Sequence, residues 1–401
     1  MSLSQGRQYL AIPGPSVMPD RVLQAMHQPA PNIYEGGLIE LTKRLIPDLK
    51  NVARTEGHAA IYICNGHGAW EAAIANVLAP GDKVLVLATG RFCEGWGEMA
   101  RNLGVEIDTL NFGRQGTIDL DQVRAYLKSD PHGKIKAVMA VHVDTSTSVK
   151  NDIDALRKTI DASDHHALLM VDCIASLGCD EFLMDEWGVD IMVTACQKGL
   201  MTPPGLGFVF FSDRAAAARN AMKRVSSYWD WKPRINPELY YEYFCGTAPT
   251  HHLLGLNEAL TMISEEGLDH VWRRHSQIAQ AVWAACEAWG TGGPMKLNIE
   301  NSALRSNAVT ALTIGAPYGK QLRRWTEHEA GLTLGIGLNM STPDDPNADG
   351  YFRIGHMGHV NAHMIMGTLG SIQAGLIALN IPHGPGGLEA AAHVLARQAH
   401  R

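Results

Sequence analysis

Two short apolar runs, each followed by one charged side chain, constrain this chain more than any other feature of its sequence. Residues 168–171 have the length and composition of a buried strand and lead directly to Asp172. Residues 190–193 form a second run, which continues through Thr-Ala-Cys-Gln to Lys198, and the Gly-Leu-Met-Thr-Pro-Pro-Gly that follows is typical of a loop. Open α/β sheets bind ligands at the carboxyl ends of their parallel strands. We therefore expect Asp172 and Lys198 to meet at one ligand site.

A carboxylate and an amine at that edge are the pair that pyridoxal phosphate (PLP) requires. Proteins hold this coenzyme covalently on a lysine and place an acid against its pyridine nitrogen, so that the ring can accept electrons. The lysine amine, once released, can also move the α-proton of the substrate. Taken singly, Asp172 is better explained as a helix cap and Lys198 as a solvated amine, because both residue types lie mostly on protein surfaces. Their joint placement leaves both explanations open.

The composition describes a globular chain and argues against a nucleic-acid partner. With 401 residues the chain exceeds one typical domain, and two domains are expected. Hydrophobic residues make up 46% and charged residues 19%, which is typical of a soluble protein with a large core. The formal net charge of −7 and the lack of a Lys/Arg-rich run argue against a nucleic-acid-binding surface.

The cysteines and the familiar motif spacings exclude further classes of protein. Seven scattered cysteines, an odd number, favour reduced thiols in a cytosolic enzyme over a disulfide framework. The amino-terminal stretch has no secretory-signal pattern, and no apolar run approaches the roughly 18 residues of a membrane-spanning helix. Neither His-Glu-x-x-His nor Cys-x-x-Cys occurs. We therefore expect a cytoplasmic protein that binds no metal and no membrane.

An alternation of strands and helices runs through the first half of the chain. Residues 60–64 indicate a strand, the Asn-Gly-His-Gly of 65–68 a turn, and residues 69–78 a helix. A helix that starts behind such a turn offers free backbone N–H groups to a phosphate, although a glycine turn by itself is more often a simple connector. Further strands at 83–88, 135–142 and 206–212 predict a mostly parallel sheet between two layers of helices.

Three stretches of this region resemble the class V aminotransferases of PLP fold type I. They are Val-Asp-Cys-Ile-Ala-Ser-Leu-Gly, Met-Asp-Glu-Trp-Gly-Val-Asp-Ile and Gln-Lys-Gly-Leu-Met-Thr-Pro-Pro-Gly. More narrowly, they look like the serine–glyoxylate and alanine–glyoxylate aminotransferases. The resemblance covers nearly the whole chain, from Ile12-Pro13-Gly14-Pro15 to Phe352-Arg353-Ile354-Gly355-His356.

The resemblance implies an α/β fold with two domains. The large domain carries a mostly parallel seven-stranded sheet between helices, and a smaller α+β domain follows it. The amino-terminal segment, residues 1–20, is expected to be irregular and to lie near the active site. The large domain is expected at 21–265 and a connecting helix at 266–294. The small domain is expected at 295–380, followed by a carboxyl-terminal helix or tail at 381–401.

The resemblance also assigns roles around the coenzyme. Lys198 is the anchor and proton carrier, and Asp172 faces the ring nitrogen. Phe92 stacks on the ring, although by itself it is better explained as a core residue. Of the hydroxyls that follow the strand at 135–142, Thr147 is matched to the one closest to the coenzyme, with Thr145 as the second choice. The remaining coenzyme contacts that the resemblance implies are Asn65, Gly66, His67 and Gln197.

The substrate side and the subunit interface are assigned in the same way. Arg353 is expected to hold the substrate carboxylate with two parallel hydrogen bonds, although an internal salt bridge would also explain a lone arginine in an apolar run. Pro13 and Gly14 border the substrate. Thr247, with Tyr243 as a further candidate, is expected to complete the phosphate site of a neighbouring subunit, which implies a homodimer with two-fold symmetry.

The predicted reaction moves an amino group from serine, or alanine, to glyoxylate or another small 2-oxo acid. Relatives that use aspartate and glyoxylate, ureidoglycine and glyoxylate, or pyridoxamine and pyruvate leave other donors open. A carbon–sulfur lyase is an alternative, but such enzymes usually place His before the lysine, where this chain has Gln197, and a catalytic Cys in the small domain, where it has none. A binding protein without activity is a third alternative, and it would be expected to lose Lys198, Asp172 or Arg353.

Overall fold

The computed structural model of the chain describes residues 2–342 and 344–398 and contains two β-sheets surrounded by helices. The strands are β1 Tyr9–Ala11, β2 His58–Cys64, β3 Lys83–Ala88, β4 Glu106–Asn111, β5 Ile135–Val141, β6 Leu168–Asp172, β7 Ile191–Ala195, β8 Gly205–Phe211, β9 Lys296–Leu297, β10 Val309–Thr313, β11 Leu332–Ile336 and β12 Tyr351–Gly355. The helices are α1 Asp20–Met26, α2 Gly37–Ala53, α3 Gly66–Val77, α4 Arg91–Asn102, α5 Leu120–Lys128, α6 Ile153–Ala162, α7 Asp213–Ala221, α8 Lys232–Ile235, α9 Thr250–Glu266, α10 Leu268–Gly290, α11 Tyr318–Ala330, α12 Ala362–Ala378 and α13 Gly387–Gln398.

The larger sheet has seven strands in the order β2-β8-β7-β6-β5-β3-β4. The four neighbouring pairs from β7 to β4 are parallel, whereas β8 is antiparallel to both β2 and β7. The loop at 196–204 joins β7 directly to β8, and a short loop of this kind can join only antiparallel strands. The predicted seven-stranded, mostly parallel sheet is therefore confirmed.

Helices cover both faces of this sheet, so its central strands are buried on both sides. Every residue of β6 and β7 is buried. Side chains alternate along each strand: Leu85 and Leu87 pack into one hydrophobic core, and Val84 and Val86 pack into the other. Burial on both sides explains why these strands appear in the sequence as nearly continuous apolar runs.

The second sheet has five strands in the order β1-β11-β12-β10-β9. Strand β1 pairs in parallel with β11, with Tyr9 opposite Leu332, so the amino-terminal segment contributes an edge strand to the carboxyl-terminal sheet. The prediction that residues 1–20 are irregular is wrong at this strand. Three residues are too few to show an alternating pattern, and only the free edge of β11 makes them a strand.

The long predicted helix is present as α10 and packs its apolar side into the second core. Ile278, Val282, Trp283 and Cys286 are buried, as predicted, while Trp272 is only partly buried and lies under the guanidinium of Arg54. Within the described residues, no helix is both long and apolar enough to cross a membrane. The last three residues of the predicted tail, 399–401, lie outside the described residues, and the predicted domain boundaries stay a prediction.

Candidate active site

Asp172 and Lys198 meet at the carboxyl edge of the large sheet, as expected. Asp172 is the last residue of β6, and Lys198 follows the end of β7. Both line a cavity of about 260 Å³. The other sequence-predicted residues that line it are Gly14, Asn65, Gly66, His67, Phe92, Thr145 and Gln197.

The Asp172 carboxylate is buried and held by one donor on each oxygen. The backbone N–H of Ile174 donates to Oδ1 at 2.6 Å, and the indole N–H of Trp70 donates to Oδ2 at 2.9 Å. Burial is the largest effect and raises the pKa of Asp172 to about 7, against the two hydrogen bonds and the charge of Lys198, which lower it. The described part of the chain offers no cation that is hydrogen-bonded to this carboxylate, so the site suits a cationic group of a ligand.

The Lys198 amine is largely enclosed and donates a hydrogen bond to the carbonyl oxygen of Pro13. Burial, followed by the positive charge of Arg353, lowers its pKa to about 8, whereas the negative charge of Asp172 raises it. An amine with a pKa near neutral pH is a competent nucleophile and a competent base.

The amino-terminal segment packs against this lysine and is hydrogen-bonded to its backbone. Gly14 has a φ of +92°, which strains any residue with a Cβ, and a Cβ at this position would lie 2.5 Å from Cδ of Lys198 and displace that side chain. Ser16 donates its hydroxyl to the Lys198 carbonyl at 2.7 Å and its backbone N–H to the Gln197 carbonyl at 2.9 Å. Pro13 and Gly14, which the resemblance assigns to the substrate, thus lie at the lysine.

The predicted phosphate turn forms the first turn of α3. The side-chain oxygen of Asn65 accepts the backbone N–H groups of His67 at 3.0 Å and Gly68 at 3.4 Å, which caps the helix. A Cβ at Gly66 would lie 2.4 Å from Cδ1 of Ile174, so a side chain here would displace the Ile174 side chain. The cap starts the helix three residues before the predicted position.

One side of the His67 ring packs on Trp70, with ring centroids 4.6 Å apart, while the residue as a whole remains exposed. Burial, and then the positive charge of Arg91, lower the pKa of His67. The imidazole is therefore neutral near pH 7 and can offer a hydrogen bond, but not a charge, to an anion in the cavity.

Phe92 reaches the cavity because Asp144 fixes the start of α4. The backbone N–H of Phe92 donates to Oδ2 of Asp144 at 2.9 Å. Ser146 donates its backbone N–H and its hydroxyl to Oδ1 of the same carboxylate at 2.9 and 2.5 Å. Asp144 was not predicted as a site residue, although it lies in the polar stretch that follows β5.

The two candidate threonines differ in position. Thr145 lies on the cavity wall, whereas the Thr147 hydroxyl donates to the carbonyl of Thr89 at 3.2 Å. Of the two, only Thr145 lines the cavity, whereas the resemblance implies that Thr147 lies closer to the coenzyme, and that order stays a prediction. Ser148, in the same turn, has a left-handed φ of +63°.

Arg353 is buried beside the cavity and makes two hydrogen bonds to backbone carbonyls. Its Nε donates to Ile336 at 2.7 Å, and its Nη1 donates to Thr145 at 2.9 Å. Among residues 2–342 and 344–398, no carboxylate forms a salt bridge with it and no acceptor is hydrogen-bonded to Nη2. Burial lowers the pKa of Arg353 to about 10, while the negative charge of Asp144 raises it. An internal salt bridge therefore does not explain this arginine.

The two residues predicted to act across subunits lie away from this cavity. Thr247 is exposed in a loop, and Tyr243 packs against Tyr240 and Phe244. This location is compatible with a role at a neighbouring subunit, which stays a prediction.

A larger cavity of about 990 Å³ lies at the opposite edge of the sheet, where Lys136 and Leu168 mark the starts of β5 and β6. It contains none of the predicted site residues. The smaller cavity is the candidate site because it brings together a buried acid, an amine of lowered pKa and a helix amino terminus.

Comparison with known proteins assigns the family. The sequence model of the family described as aminotransferase class-V matches residues 8–292. The chain belongs to this family of aminotransferases. A serine–glyoxylate aminotransferase from Methylorubrum extorquens is 36% identical, with 98% of this chain and 97% of that protein covered. An L-aspartate–glyoxylate aminotransferase from Paracoccus denitrificans is 33% identical, with 92% of this chain and 91% of that protein covered.

Solved structures of class-V aminotransferases have the same fold. A ureidoglycine–glyoxylate aminotransferase from Bacillus subtilis superimposes with a TM-score of 0.87 at 24% identity, covering 99% of this chain and all of the other. The predicted family and fold type are thus confirmed. Trp70 and Ile174 are cavity residues of this aminotransferase that the sequence analysis did not assign.

Proposed function

We propose that this class-V aminotransferase uses PLP to move the amino group of serine, or alanine, to glyoxylate or another small 2-oxo acid. The observation that carries the proposal is a buried acid and an amine of lowered pKa that line one cavity at the carboxyl edge of the sheet. Glyoxylate and serine appear in the name of the Methylorubrum extorquens relative, and 98% of this chain aligns with that protein.

The residues around the cavity fit this coenzyme. Asp172 lacks a cationic hydrogen-bond partner among the described residues and would face the ring nitrogen. The amino terminus of α3, with Gly66 and the neutral His67, would hold the phosphate. Phe92 would stack on the ring, and the Lys198 amine would be its anchor. When bound, the coenzyme supplies an acceptor for the electron pair that remains after the α-proton of the substrate has been removed.

The residues of the chain supply proton transfer and orientation. A pKa of about 8 leaves part of the Lys198 amine unprotonated near neutral pH, so Nζ can take the α-proton and return it. Arg353 keeps Nη2 for the substrate carboxylate, while its other bonds to Ile336 and Thr145 hold the guanidinium in place. Gly14 and Pro13 limit the movement of the lysine side chain.

We further propose that the active form is a cytoplasmic homodimer in which Thr247, with Tyr243 as the second candidate, completes the phosphate site of the partner. The exposed position of Thr247 leaves its hydroxyl free for such a contact.

A screen of half-reactions tests the proposed function. Coenzyme-saturated protein is mixed with one amino acid at a time, and the change of the coenzyme absorption to that of its amino form is followed. We expect serine and alanine to react, and the 33% identical Paracoccus denitrificans relative makes aspartate the next donor. Failure of all three donors would show that the donor assignment is wrong. Release of sulfide from cysteine would instead favour the lyase alternative.

A further inference from the structure

The hydrogen bond between Trp70 and Asp172 joins two elements that are distant in sequence. Oδ1 of Asp172 is held by the backbone N–H of Ile174, which belongs to the loop that follows the same strand. Oδ2 is held by the indole N–H of Trp70, which belongs to helix α3. One donor on each oxygen fixes the plane of the carboxylate, and only the Trp70 donor is a side chain.

Trp70 is itself held in one orientation. It is 2% exposed, and three rings surround it. Trp96 lies nearly parallel to it at 6.1 Å between centroids, His67 is tilted at 4.6 Å, and Phe92 meets it edge-on at 6.3 Å. The indole cannot turn its N–H away from Asp172 without displacing these neighbours, so the direction of the hydrogen bond is fixed by packing.

Helix α3 touches the cavity at two points. Gly66 and His67 lie in its first turn, and Trp70 lies about 6 Å farther along the axis at the usual rise of ~1.5 Å per residue. All three line the same cavity. The element that offers N–H groups at one end of the cavity thus also holds the acid within it.

We propose that Trp70 is a positioning residue that fixes the orientation and the charged state of Asp172 toward the ring nitrogen of the coenzyme. This inference rests on the proposed function, since it requires that Asp172 face that nitrogen. An N–H donor stabilises the ionised form of a carboxylate more than its neutral form. Burial raises the pKa of Asp172, and the Trp70 bond opposes that rise.

The groups around Asp172 do not replace this donor. The ionisable groups that act on it or are affected by it are Asp144, Lys198, Cys93 and Cys173. Only Lys198 among them is a cation, and its amine donates to Pro13. Loss of the indole N–H therefore leaves the carboxylate with the Ile174 donor alone, free to pivot about Oδ1 and easier to protonate.

The test compares two buried tryptophans of the same hydrophobic core. Trp70→Phe removes the donor to Asp172, whereas Trp231→Phe removes a ring that stacks on Phe211 at 4.0 Å and does not line the cavity. The apoprotein of each full-length variant is titrated with PLP across a pH series, and thermal unfolding is measured in parallel. We expect Trp70→Phe to weaken PLP binding about tenfold or more and to move the acid-side midpoint of binding upward by about one pH unit. Trp231→Phe should stay within about twofold of wild type in affinity.

Two further variants keep the test decisive if Trp70→Phe folds poorly. The first carries 3-benzothienylalanine at position 70, which keeps the shape of tryptophan and replaces the N–H by sulfur. It should reproduce the loss of affinity without a fall in melting temperature. The second combines Trp70→Phe with Asp172→Asn, and there Trp70→Phe should cause little further loss, because the two residues act as one unit.

The outcomes separate this inference from the proposed function. If the sulfur isostere and Trp231→Phe bind PLP equally well, or if the losses from Trp70→Phe and Asp172→Asn simply add, Trp70 only packs and the inference is wrong. If the wild-type protein binds no PLP, the proposed function itself is wrong.

Discussion

At the scale of single residues, the site combines an acid and an amine whose pKa values burial has moved toward each other. The pKa of Asp172 rises from 3.8 to about 7, and the pKa of Lys198 falls from 10.5 to about 8. Each shift records a free-energy cost of keeping the charged form inside the coenzyme-free fold. A site with these properties is arranged for a ligand rather than for stability.

The Asp172→Asn variant should show this cost as a pH dependence of stability. Because the pKa of Asp172 is higher in the folded than in the unfolded chain, the folded state binds more protons between about pH 4 and pH 7. This carboxylate therefore lowers the stability of the wild-type apoprotein as the pH rises through that window. We expect the free energy of unfolding of the variant, relative to wild type, to increase by about 1–4 kcal/mol between about pH 5 and pH 8.5.

Urea unfolding of both apoproteins at the two pH values measures this difference. Lys198 is present in both proteins, so its own titration largely cancels in the comparison. A difference between variant and wild type that is the same at both pH values would contradict the assigned burial effect on Asp172.

Individual residues were predictable where a charge follows an apolar run. Asp172 and Lys198 stand out in the sequence because a lone charge at the end of a buried strand needs an explanation. Trp70 and Asp144 did not stand out. The Trp70 contact spans 102 residues, and the Asp144 contact to Phe92 spans 52, so nothing in the local pattern indicates either pair. The preference for Thr147 over Thr145 came from the resemblance, and the direction of a hydroxyl in a tight turn cannot be read from the sequence.

At the scale of elements, α3 lines the cavity with both its amino terminus and its second turn. Its cap, Asn65, uses the side-chain oxygen for the His67 and Gly68 N–H groups, and its amide N–H₂ remains available for an anion. The amino terminus of a helix also favours negative charge.

Asn65→Asp should separate capping from phosphate binding. Aspartate caps a helix about as well as asparagine, so the melting temperature should change little. The added negative charge beside the phosphate should weaken PLP binding about tenfold or more. Asp119→Asn is the matched control, since Asp119 caps α5 in the same way and does not line the cavity. Equal PLP affinity of both variants would place the phosphate elsewhere.

The elements themselves followed from the sequence where their pattern is long or strongly apolar. Strand β3 has the predicted bounds, and β2, β5, β6 and β8 differ from prediction by one or two residues. Strand β1 was missed because it has three residues and is formed by pairing with β11 alone. The start of α3 was placed three residues late because Asn65 was assigned to a turn rather than to a cap.

At the scale of the whole molecule, the amino-terminal segment links the two sheets. Strand β1 belongs to the second sheet. A few residues later, the Ser16 hydroxyl donates to the carbonyl of Lys198, which follows strand β7 of the first sheet. A shift of the second sheet would therefore also move the backbone at Lys198. The division into domains at 21–265 and 295–380 is our proposal for the bodies that this segment and α10 connect.

Hybrid dimers test the proposed sharing of sites. Lys198→Ala and Thr247→Ala homodimers should each have low activity. Random mixing of their subunits places one intact site in each hybrid, which should restore about a quarter of wild-type activity if the partner supplies Thr247. Mixing Lys198→Ala with Asp172→Asn is the control, because both residues belong to the same chain's site and no hybrid contains an intact one unless the subunits exchange them. No recovery in the first mixture would show that Thr247 does not act across subunits.

The central prediction is a covalent bond between the coenzyme and Lys198, and chemical reduction tests this bond directly. Protein saturated with PLP is reduced with borohydride, digested and analysed by mass spectrometry. We expect a stable coenzyme adduct on the peptide that contains Lys198, and no adduct there in the Lys198→Ala protein. An unmodified Lys198 peptide from saturated wild-type protein would rule out this covalent anchor.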